Sequence, residues 1–203
     1  MIFKALEYIR HFLEEQMKEQ ISGNGNSSTP FSIDLDNVSK VDTPNSTDEN
    51  RLIITLVNTE EEYTKKNYSA ARKNYISGNV SYSNPPIFIN LYVLFAANNS
   101  NYNTALKTLS DVIKCFQAKN SFTVSNTALD TNEINLSLTD ELTFKLDFEL
   151  YTLTFEQLNH LWGTLGGKQI PAVMYKVRLI RLEKTLVQSQ GGVIENILIE
   201  NKG

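Results

Sequence analysis

The stretch from Thr154 to Leu182 constrains the fold more than any other part of the chain. Thr154 and Gln157 stand three positions apart, the spacing of a capping box, so a helix is predicted to start there. Phe155, Leu158, Leu161, Trp162 and Leu165 would form its buried face. Gly166 or Gly167 can adopt the left-handed conformation that closes a helix, and Pro171 blocks its resumption. From Ala172 to Leu182, Val173, Tyr175, Val177 and Leu179 alternate with Met174, Lys176, Arg178 and Ile180, as in a strand. A phosphate loop follows a strand and opens a helix; here the order is reversed. Gly166-Gly167-Lys168 is therefore expected to be a corner between helix and strand, not a phosphate cradle.

The remaining segments extend this pattern. Ile2, Leu6, Ile9, Leu13 and Met17, widened by Ala5 and Phe12, mark one face of a helix over about Ile2–Gln20. The Gly/Asn/Ser run after Ser22 ends it. Phe31–Val41 alternates weakly and suits a short edge strand. Arg51–Asn58 is apolar on both faces, as a central strand would be. Thr59–Pro86 is polar, shows no period and is expected to be a long loop. Ile87–Phe95 is the clearest strand, followed by a polar turn from Asn98 to Asn103. A second helix then carries Leu106, Leu109, Val112, Ile113 and Phe116 on its apolar face. Leu142–Leu150 alternates strictly and predicts a half-exposed strand roughly 30 Å long at ~3.3 Å per residue. Beyond Glu183, Gly191-Gly192 resembles a hinge before one more strand, Val193–Glu200. The expected fold class is α+β, a mixed and mainly antiparallel sheet flanked by helices. The main domain covers 1–182, and 183–203 forms a C-terminal extension with an edge or exchanged strand.

Composition narrows the function. The chain has 203 residues, of which 41% are hydrophobic and 21% charged, ordinary values for a globular protein. At this length roughly 70% of the unfolded surface can be buried without a disulfide or metal staple. The net charge is −4, from 19 basic and 23 acidic residues. The basic excess that supplies nucleic-acid affinity is missing, so no nucleic-acid partner is expected. One cysteine, Cys115, and two histidines, His11 and His160, cannot assemble a Cys/His zinc site from one chain. The N-terminal segment has charges throughout and lacks the apolar core of a signal peptide. No run approaches the ~20 apolar residues that span a bilayer, so synthesis is expected in the cytoplasm.

Catalysis requires convergent groups with shifted pKa values. His11 and His160 each read as helix-surface residues, and Cys115, between apolar neighbours, as a buried inert thiol. No Ser sits in a nucleophile elbow. No catalytic, cofactor-binding or metal residues are therefore assigned. Glu60-Glu61-Glu62 follows a buried strand and suits a cation, a basic partner or a solvated loop start. Lys65, Lys66, Arg72 and Lys73 suit a solvated basic face. Lys176, Arg178 and Arg181 either guard an edge strand or meet an acidic partner on an assembly face. Ile194, Ile197 and Ile199 lie in the tail strand. That strand could add to a neighbouring subunit or fold back on its own sheet.

Several blocks together resemble a known family. They are the N-terminal amphipathic helix, Asn50–Glu62, Pro85–Phe95 with Tyr102, Phe116–Thr123, and Tyr151–Asn159 through Trp162, Leu165–Lys168 and Pro171 to Tyr175–Arg178. In this order, over nearly the whole chain, they resemble the cap or tail-terminator proteins of contractile injection systems. These systems are phage-tail-like particles with a sheath around a rigid tube. The segment Asp130–Asp140 departs from the family by being longer and more polar. The resemblance implies a tail-terminator-like fold, no catalysis and no cofactor. It implies a homo-hexameric ring that closes the distal end of inner tube and sheath, with tube and sheath proteins as partners. Any nearness to a membrane would come through the assembled particle, whether cytoplasmic, membrane-anchored or released. Two other readings stay open: an adaptor that docks cargo or another particle component without setting length, and an enzyme with an unrecognised site.

Overall fold

The computed structural model describes residues 2–23, 31–41, 50–65, 71–73, 80–82, 84–123, 145–182 and 189–191. The chain divides into two compact units, one of Met1–Glu60 with Ile89–Ile180 and one of Glu61–Phe88 with Arg181–Gly203.

The larger unit is built on a six-stranded sheet. Its strands are β1 (Ser32–Leu35), β2 (Asn50–Glu61), β5 (Ile87–Asn99), β6 (Ser121–Thr123), β7 (Lys145–Leu150) and β8 (Ala172–Leu182). Their spatial order is β1-β2-β5-β8-β7-β6, with β1 parallel to β2 and β7 antiparallel to both β6 and β8. The α+β expectation holds, as do the edge position of β1 and the inner position of β2. Among the described residues, three α-helices complete the unit: α1 (Ile2–Gly23), α2 (Tyr102–Ala118) and α3 (Phe155–Thr164).

One face of the sheet carries an aromatic core. The Phe116 ring stacks on Phe148 at 4.4 Å and 10°, and lies 4.9 Å from Tyr175 and 5.2 Å from Phe95. Phe12 of α1 meets Phe122 edge-on at 4.7 Å. A second cluster joins Leu94, Ala96, Met174 and Ile53 to Trp162 of α3. The central strand β5 is thus buried on both faces, Phe95 in the aromatic core and Leu94 and Ala96 in the Trp162 cluster. Such a strand reads as a continuous apolar run. At the β1 edge, the Thr55 hydroxyl donates to the Asp36 carbonyl at 2.6 Å and accepts from the Val38 N–H at 3.2 Å. These bonds fix a 3-10 turn, Val38–Lys40, against β2.

Three apolar faces differ from the sequence reading. On α2, the buried residues are Ala105, Thr108, Val112, Cys115 and Phe116, while Leu106 and Ile113 are exposed. Both stripes satisfy the helical period. They share Val112 and Phe116, and the buried face is turned toward Ala105, Thr108 and Cys115. On α3, Trp162 is buried and Leu158, Leu161 and Leu165 are half-buried, but Phe155 is 92% exposed. Phe155 occupies the first helical position, beyond the reach of the Trp162 cluster. In β7, Leu146 and Phe148 are buried but Leu150 is exposed; residues 142–144 lie outside the described residues.

The smaller unit corrects the expectation of a long loop at Thr59–Pro86. β2 continues to Glu61, a 3-10 turn covers Tyr63–Lys65, and two short strands follow, β3 (Ala71–Lys73) and β4 (Val80–Tyr82). They form an antiparallel three-stranded sheet with β9 (Ser189–Gly191) in the order β3-β4-β9. Three-residue strands are too short to show a period, and the partner of β4 lies over a hundred positions away. Gly191, expected in a hinge, pairs with Val80.

Candidate interaction surface

Strands β2, β5 and β8 are neighbours, and each contributes one polar side chain to a shared network. Tyr92 donates its hydroxyl to Glu60 Oε2 at 2.7 Å, and Lys176 Nζ donates to the same oxygen at 2.8 Å. The ammonium also stands 5.2 Å from the centre of the Tyr92 ring, within cation–π range. Tyr92 in turn packs edge-on against Tyr151 at 5.0 Å. The bond to Glu60 raises the pKa of Tyr92, helped by burial, because donation requires the phenolic proton. The same carboxylate is the main cause of the raised pKa of Lys176.

Next along the sheet, register places Asp147 opposite Arg178 and Glu149 opposite Lys176. Arg178 Nη1 approaches Glu149 Oε1 at 3.2 Å, and Lys145 Nζ approaches Asp147 Oδ2 at 3.0 Å. Of the sequence-selected residues, Glu60 and Lys176 therefore meet, and Arg178 stands beside them on the same strand. Glu61 ends β2, and Glu62 accepts from the Thr64 hydroxyl at 2.7 Å; both belong to the smaller unit. Arg181 lies in β8, but its side chain, like Ile194, Ile197 and Ile199, falls outside what is described.

The other candidates behave as their surroundings dictate. Cys115 is buried, and burial followed by the nearby Asp111 charge pushes its thiol pKa up, the opposite of an activated nucleophile. His11 packs beside Glu14, with Nδ1 3.4 Å from Oε2, and His160 is exposed beside Glu156. Among the described residues, no group of three or more His, Cys, Asp or Glu is placed to hold a metal. Nor is any described helix long and apolar enough to cross a membrane. The glycine corner closes α3. Gly166 and Gly167 have φ of 105° and 79°, and the Gly167 N–H donates to the Trp162 carbonyl at 2.7 Å, the six-to-one bond of a Schellman closure.

The larger unit also contains a groove of about 430 Å³, which sequence reasoning missed. Tyr102 and Leu106 of α2, Leu150 at the end of β7, and Leu158 and Trp162 of α3 are among the residues lining it. The one sequence signal was surplus: α2 and α3 each carry more large apolar residues than one buried stripe needs.

No curated protein matches the chain by sequence. Among the solved structures that share its fold are two terminators. The sheath/tube terminator of PVC, an extracellular contractile injection system in its extended state, aligns with a TM-score of 0.54 at 12% identity, covering 95% of this chain and 62% of that one. The tube-terminating cap of the anti-feeding prophage aligns with a TM-score of 0.51 at 11% identity, covering 93% and 60%. The chain thus spans about three fifths of the length of either structure. Residues 5–196 match the Pvc16 N-terminal domain, nearly the whole sequence, and the chain belongs to that family.

Proposed function

We propose that this protein is a structural terminator. Copies form a homo-hexameric ring on the distal end of the inner tube and sheath of a contractile injection system. The ring ends polymerisation and anchors the sheath. The observation that carries the reading is the continuous match to two terminator folds over more than nine tenths of the chain, together with the family match. Both neighbours are structural caps, and the work assigned here needs neither catalysis nor a cofactor. The protein would be made in the cytoplasm and act as a component of the assembled particle.

The physics of such a task is simple. A tube of stacked rings presents the same binding face at its growing end after every addition. A terminator must bind that face and offer a different one outward. Heterologous contacts close into a ring when their rotation fits the symmetry, and the tube end supplies that symmetry. A sheath strand or a neighbouring subunit can be held by strand addition, with main-chain hydrogen bonds giving affinity. In this reading residues 1–182 are the cap domain, and 183–203 is the extension that reaches a neighbour. Glu61, Glu62, Arg178 and Arg181 would add polar contacts at the rim.

Electron microscopy of particles lacking this protein tests the function. Open ends or overlong tubes are expected. Normal, capped particles that lack cargo would instead identify an adaptor. Deleting Gly191–Gly203 tests the extension: particles that stay capped and of normal length remove it as the linking element.

A further inference from the structure

We draw no further inference here: the strongest candidate, the apolar groove beside α2 and α3 that Tyr102, Leu106 and Leu150 line, carries nothing because nothing in the structure shows what covers it.

Discussion

Lys176 Nζ lies 2.8 Å from Glu60 Oε2, although 116 positions separate the two residues. Tyr92 shares the same oxygen from the strand between them. One carboxylate thus ties three adjacent strands together on the sheet. Lys176 keeps 17% of its side-chain exposure and Glu60 43%, so solvent still screens the pair. A double-mutant cycle with Glu60→Gln and Lys176→Met should give a coupling of about 1 kcal/mol, the upper end for partly exposed ion pairs. Urea unfolding of the four proteins measures it. A coupling indistinguishable from zero would mean that the contact adds nothing to stability.

The same network sets an alkaline limit. Tyr92 and Lys176 both have raised pKa values, with the bond to Glu60 as the first cause in each. The folded protein therefore holds their protons to higher pH than the unfolded chain does. Their stabilising contribution is complete below about pH 10, the range of the unfolded values, and is lost as pH rises through the folded ones. Glu60→Gln should flatten the fall in urea midpoint above that pH. Cys115 and Tyr175, raised by burial, supply the slope that remains. Parallel falls in parent and variant would contradict this origin.

Two phenylalanines should respond in opposite ways. Phe116 is 2% exposed and stacked on Phe148, so Phe116→Ala should cost about 3–5 kcal/mol of unfolding free energy. Phe155 is 92% exposed, so Phe155→Ala should change the stability of the isolated subunit by less than about 0.5 kcal/mol. Denaturant melts at a concentration where the chain is monomeric distinguish them. Equal losses would place Phe155 in the core after all.

The glycine corner offers a purely conformational test. Gly167 has a φ of +79°, and a Cβ built there meets nothing within 4 Å. Gly167→Ala should therefore cost about 1 kcal/mol from backbone strain alone. Lys168→Ala, one residue on, should be nearly neutral because that side chain is exposed. Thermal melts of the two variants, run together, check the contrast.

Much of the architecture could be read before any coordinate. The capping box at Thr154 and Gln157 and the closure at Gly166 and Gly167 are local, since their hydrogen bonds join residues within a few positions. The apolar stripe of α1 and the alternation of β8 needed only the periods of helix and strand. The α+β class followed from these pieces in order.

Other features were settled only by which elements met. On α2 two overlapping stripes fit the period, and packing buried the one through Ala105, Thr108 and Cys115, exposing Leu106 and Ile113. The strands β3, β4 and β9 are three residues each and exist as a sheet only once 80–82 meets 189–191. Glu60 and Lys176 were each visible as charges, but their pairing came from the strand order β2-β5-β8. Periodicity reports how a segment can share its own face; it carries no information about what lies opposite. Hence helices, corners and strand periods belong to the sequence alone, while the network, the groove and the exposed Leu150 and Phe155 arise from packing between segments far apart in the chain.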